Sequence, residues 1–177
     1  MDGRSRDVVL NAVMNDLLTE RLALHPFTTA EAEQVATATP GPDSNWAPGY
    51  PAEGEQSGAR MFLRACEAVG DPHPFGGYEI RLRSDGRAIG GIGFHGGPDE
   101  DGAVEIGYGL AESFRGQGYA AEAVRRMVEF AREQGVTTFL GNTTHDNVPS
   151  QHVMLAAGLQ FARQDEELRY YELALKQ

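Results

Sequence analysis

One segment, AVEIGYGLAESFRGQGYAAEAVRRMVEFARE at residues 103–133, constrains the fold more than any other. It runs an alternating strand through a glycine-rich turn straight into a long helix. Ala103–Leu110 alternates apolar and polar positions, the period of a strand with one buried face. From Tyr119 to Glu133 the period becomes helical. Ala120, Val124, Met127 and Ala131 form one stripe, with Ala123 and Phe130 beside it and Glu122, Arg125, Arg126, Glu129 and Arg132 outside. Gly135 ends this helix, and the β-branched run Val136–Leu140 then reads as a buried strand reached by a crossover.

The flanking sequence fills in the remaining layers. Glu20–Leu24 alternates and is closed by His25 and Pro26, as a first strand would be, and Thr29 opens a short helix running to about Thr37. Prolines at 40, 42, 48 and 51 make the next stretch a loop. Over Glu55–Val69 the spacing predicts a helix with Ala59, Phe62, Cys66 and Val69 inward and Glu55, Gln56, Arg60, Arg64 and Glu67 outward. Tyr78–Arg83, Ala88–His95 and Ala103–Leu110 form an antiparallel meander. Gly90, Gly91, Gly93, Gly107 and Gly109 weaken these strands, which implies a bulge or a close-lying backbone or ligand. Asn147–Ala157 is a second helix, with Pro149 in its first turn and Gly158 at its end, and Leu159–Gln164 with Leu168–Leu175 closes the chain as a hairpin. The expected architecture is α/β (α+β), helices packed on a sheet. Residues 1–18 read as an N-terminal appendage and 19–177 as a single domain.

A net charge of −11 repels nucleic acid and anionic membranes, no basic patch offsets it, and no apolar run is long enough to cross a bilayer. The start of the chain carries acids and lacks a secretory apolar stretch, so a cytoplasmic location is expected. A single cysteine, Cys66, excludes an internal disulfide and reads as a small core residue.

The glycine turn carries the chemistry. A helix start presents unpaired amides and a partial positive charge, so an oligophosphate can bind there without a lysine. Gly116 and Gly118 clear side chains from such an approach, and Gln117 can donate as well. The spacing is not GxGxxG, and the P-loop lysine is absent. By itself RGQG would serve equally as a tight strand-to-helix connection.

RGQGYA matches the arginine-or-glutamine, x, x, glycine, x, glycine-or-alanine signature of the GCN5-related N-acetyltransferases (GNAT), carried by Arg115, Gly118 and Ala120. TERLAL, EIGYGL, the EA of the helix and NVPSQHVMLAAGLQF resemble the branch that contains the ribosomal-protein-alanine acetyltransferases, over roughly Leu18–Leu175. The resemblance implies a mixed, mostly antiparallel sheet of about seven strands with about four helices. It also implies acetyl-CoA as cosubstrate. The backbone amides of Arg115, Gly116, Gln117, Gly118, Tyr119 and Ala120 would hold the pyrophosphate; the free backbone groups of Tyr108, Gly109 and Leu110 the pantetheine arm and thioester carbonyl; and Asn147 the pantetheine. An ammonium must lose a proton before it attacks. Glu105 is the candidate base, with His95 and then Glu79 as alternatives. Relatives place a tyrosine where this chain has Met154, and Ser150 is the candidate donor to the leaving sulfur. Asn147 and Ser150 would also serve as a plain helix cap.

The acceptor is expected near Trp46, Tyr50, the following helix, Tyr170 and Tyr171. It would be a small-molecule amine or a protein N-terminus. The chain would be a monomer or homodimer. His145, Asp146 and His152 lack the pattern of a metal site, so no metal is expected. Arg125 and Arg126 read as a solvated helix face, either of which would suit a terminal phosphate. The alternative function is a non-catalytic acetyl-CoA or CoA sensor.

Overall fold

The computed structural model describes residues 15–176. An eight-stranded sheet has the order β1-β2-β3-β4-β5-β6-β8-β7. Its strands are β1 (Leu17–Leu18), β2 (Leu22–Pro26), β3 (Gly77–Leu82), β4 (Ala88–Phe94), β5 (Ala103–Leu110), β6 (Thr138–Thr144), β7 (Gln160–Gln164) and β8 (Leu168–Ala174). The helices are α1 (Thr29–Ala36), α2 (Glu53–Val69), α3 (Tyr119–Glu133) and α4 (Val148–Ala156), with a 3₁₀ turn at Glu112–Phe114. The strand beyond the expected seven is β1. Leu17 and Leu18, at the end of the expected appendage, pair antiparallel with Leu24 and Ala23. The earlier appendage residues, 1–14, lie outside the described ones.

All pairings are antiparallel except β5 with β6, which the α3 crossover joins in parallel. That pairing covers only Ala103–Glu105 against Thr138–Leu140. Beyond it β5 stays with β4 as far as Leu110, whereas β6 stays with β8 as far as Thr144. The sheet therefore opens into a V, and among the described residues one edge of β5 from Ile106 onward has no strand beside it.

Helices cover both faces. On one, Val124, Met127 and Ala131 of α3 reach zero exposure against Leu22, Ile80, Ile92 and Phe139. On the other, Phe27, Ala32, Val35, Tyr50, Ala59 and Phe62 form a second cluster beneath α1 and α2. Thr28 caps α1 through a reciprocal box with Glu31. The inward stripe of α2 holds at Ala59 and Phe62 but fails at its end, where Val69 is 78% exposed. Glu55, expected outward, is buried. Between α2 and the sheet lie Gly91 paired with Gly109 and Gly93 paired with Gly107. These four positions offer no side chains for α2 to pack on, and a cavity of about 440 Å³ remains there.

Candidate functional site

The site has three adjoining parts: a helix start, a free strand edge and the cavity. At the first, Gly116 and Gly118 take φ of 76° and 82°, left-handed values that permit the tight reversal into α3. Gly118 is the cap residue, and among the described residues no side-chain cap bonds the first-turn amides. A side-chain cap would fill the space where an anion approaches, so its absence favours an anion cradle over a simple connection.

Arg21, unassigned from sequence, braces this turn. Its Nη1 donates to the Gln117 carbonyl at 3.0 Å, its Nε pairs with Glu122 at 2.7 Å, and the guanidinium stacks 4.3 Å from the Tyr119 ring centre. It places a positive charge beside Gly118. Two side chains of the turn are engaged within the protein. Gln117 turns away and donates to the Ser113 carbonyl at 3.1 Å, and Arg115 folds back to donate to the Leu110 carbonyl at 3.2 Å. Arg125 and Arg126 donate to the main-chain carbonyls of Ala156 and Leu18.

The free edge of β5 includes Tyr108, Gly109 and Leu110, where the pantetheine arm was expected. Across the V, Asn147 accepts from the Ser150 amide at 3.2 Å as the cap of α4. The Tyr108 hydroxyl lies 2.7 Å from Ser150 Oγ and 3.1 Å from the Ser150 carbonyl. Burial raises the Tyr108 phenol, outweighing the Ser150 hydrogen bond that lowers it. This phenol remains a proton donor at neutral pH. The helix position without a tyrosine, Met154, is fully buried. A Cβ on Gly141 would come 2.7 Å from its sulfur. A phenol thus reaches Ser150 from β5, which a search along α4 alone does not find.

At the cavity wall, His95 is paired with Glu105. Nδ1 lies 2.8 Å from Glu105 Oε1, and the ring covers Gly107 so closely that a Cβ there would be 2.5 Å from Nε2. His95 lines the cavity; Glu105 sits behind it. The hydrogen bond from His95 lowers the Glu105 pKa, against a smaller upward push from burial. A lowered carboxylate is a poorer proton acceptor, and Glu105 is suited to orient the imidazole. Glu79 is fully engaged. It accepts from the Tyr50 hydroxyl at 2.8 Å and pairs with Arg81 Nε at 2.7 Å.

Of the residues expected near the acceptor, Tyr50 and α2 line the cavity, while Trp46, Tyr170 and Tyr171 do not. Trp46 stacks edge-on against Tyr50, Tyr171 packs on Phe161, and the Tyr170 hydroxyl binds Asp165. Among the described residues no group of three or more His, Cys, Asp or Glu side chains could hold a metal. No helix among them is long and apolar enough to cross a membrane.

Residues 21–160 match the model of the acetyltransferase (GNAT) domain, most of the chain and every part of the site. The chain belongs to the GNAT family. GNAT relatives include the uncharacterised N-acetyltransferase YjdG of Bacillus subtilis (strain 168), 30% identical over 98 residues. That stretch is 55% of this chain and only 58% of YjdG, so the match spans little more than half of that relative. The uncharacterised N-acetyltransferase p20 of Bacillus licheniformis is 25% identical over 162 residues, 91% of this chain and 89% of its own. Among solved GNAT folds, RimL, a ribosomal L7/L12 alpha-N-protein acetyltransferase in complex with coenzyme A, superposes with a TM-score of 0.67. It is 19% identical, covering 91% of this chain and 98% of that one. At that identity the likeness is one of fold.

Proposed function

We propose that this GNAT protein transfers the acetyl group of acetyl-CoA to a primary amine by direct attack on the thioester. The observation that carries the reading is the break in strand pairing after Glu105–Leu140, which frees the β5 edge directly upstream of an uncapped, two-glycine helix start. A simple connection needs neither feature; a nucleotide thioester needs both.

Acetyl-CoA supplies the activated acetyl group. The amides from Gly116 to Ala120, with Arg21 beside them, bind its diphosphate, and Arg115 and Gln117 contribute through the main chain. Tyr108, Gly109 and Leu110 line the thioester arm, and a β5 amide there stabilises negative charge developing on a carbonyl oxygen. Asn147 fixes the start of α4 alongside. His95 Nε2 takes the amine proton while Glu105 holds the ring through Nδ1, so Glu105, the base expected from sequence, acts through His95. Ser150 and Tyr108 together offer the hydroxyl hydrogen for the leaving sulfur.

Two measurements test the reading: calorimetric binding of CoA, and thiol release from acetyl-CoA across a panel of amines. Saturable binding with amine-dependent release is expected. Binding without release from any amine would identify a CoA sensor, and no binding would refute both.

A further inference from the structure

We propose that the cavity between α2 and the four-glycine floor takes a small amine with a compact apolar body and no carboxylate, whose ammonium is held by Glu55. The proposal rests on the acetyltransferase reading and names its acceptor class.

Glu55 projects from the first turn of α2 into the cavity with 7% residue exposure. Its Oε1 is buried without a hydrogen-bond partner among the described residues. The carboxylate lies over the floor: a Cβ on Gly109 would be 3.7 Å from Oε2, and one on Gly91 would be 3.7 Å from Cγ. Gly109 belongs to the strand expected to present the thioester, so a group bound by Glu55 arrives at the reacting strand. A buried carboxylate oxygen without a partner is costly, and a cation is the ligand that offsets this cost. Burial pushes the Glu55 carboxyl above its usual range, while its own amide and the Arg115 charge pull less strongly the other way.

The other walls define the remainder of the ligand. Phe27, Phe62, Phe75 and Met61 give it an apolar lining, and among the described residues no lysine or arginine lines the cavity. An acceptor carboxylate would therefore meet the Glu55 carboxylate with no lysine or arginine among the described lining residues beside it. The volume, about 440 Å³, lies toward the small end of ordinary small-molecule pockets (roughly 300–1,000 Å³).

Phenethylamine and phenylalanine share an aromatic body and differ by a carboxylate, and a peptide with N-terminal phenylalanine tests entry of a polypeptide. With full-length enzyme, phenethylamine should show the largest kcat/KM of the three. Glu55→Gln should raise its KM about 30-fold, as expected for loss of a hydrogen bond to a charged group, with CoA affinity unchanged. Direct binding of phenethylamine to the CoA-loaded protein, measured calorimetrically, should weaken equally. This binding measurement stays informative if transfer is absent. Glu55→Ala provides a second variant. A KM and Kd unmoved by Glu55→Gln, phenylalanine equal to phenethylamine, or preference for the peptide would each overturn the proposal. Binding that depends on Glu55 without any thiol release would instead uphold it and overturn the transferase reading.

Discussion

Replacing Gly118 by Ala, Lys and Glu separates the charge of the proposed phosphate cradle from its shape. At φ 82° the residue sits where an L side chain costs about 1–2 kcal/mol, so all three variants share one backbone penalty. A new Cβ would lie 3.3 Å from Arg21 Nη2, but the Arg21 side chain is 41% exposed and can give way. For a chain of this size each kcal/mol lowers Tm by about 2–4 °C, so all three should melt roughly 2–8 °C below the parent. Charge then distinguishes them. At roughly 6 Å and an effective dielectric constant of about 40, each like charge on the diphosphate repels the Glu carboxylate by about 1.4 kcal/mol. Two such charges cost close to a hundredfold in Kd. Lys should recover affinity by a comparable mechanism.

Titration calorimetry with CoA at low and high salt reads this directly. The expected order is Lys tightest, then Ala, then Glu, with the spread shrinking as salt screens the charges. Equal Kd values for three folded variants with matching Tm losses would refute a phosphate at this helix start. A tightest-binding Glu variant would do the same.

Other positions give equally definite expectations. Gly90→Ala would put a Cβ 2.3 Å from the Gly109 carbonyl oxygen, inside the β4–β5 ladder, and should cost about 3 kcal/mol or more by urea unfolding. In contrast, Gly58→Ala in α2 meets nothing within 4 Å and should gain about 0.5–1 kcal/mol; the same sign at both sites would contradict the packing described. Burial raises the Glu31 carboxyl, but the hydrogen bonds from His25 and Thr28 outweigh it and hold the pKa at about 2. Its stabilisation is therefore present above the ordinary value of 4.5 and lost as pH falls toward about 2. For His25, burial lowers the pKa but the bonds to Glu31 and Asp16 prevail and raise it, so its contribution is full below 6.5 and fades as pH rises through the raised value. Urea midpoints measured against pH should fall more steeply on the acid side for the parent than for Glu31→Gln, and parallel curves would count against this cluster. Glu105→Gln and Tyr108→Phe should each lower kcat about tenfold or more with CoA affinity retained, and a rate within twofold of the parent would remove that residue from the mechanism.

What could be read from sequence is what local spacing encodes. The strand–turn–helix segment was legible because strand period, glycines and helix period follow one another within a single stretch, and α3 and β5 begin and end where expected. Asn147 and Ser150 were legible as a cap for the same reason. Arg21 was not: it reaches the turn only because β2 lies against α3, joining residues 96 positions apart. Similarly, the Tyr108–Ser150 contact spans 42 positions and depends on how far the V opens.

Glu55 exposes a deeper limit of periodicity. A helical wheel assigns every carboxylate to solvent, because burying one against a packed surface is prohibitive. That inference assumes the facing surface has side chains to pack. Here β5 carries Ile106 and Leu110 toward α3 but Gly107 and Gly109 toward α2, and β4 repeats the division with Ile92 against Gly91 and Gly93. One face of the same strands is filled and the other left hollow. The glycines that weaken the strands thus create the space that accommodates a charge on the facing helix, and neither segment's spacing reveals this until the two are brought together.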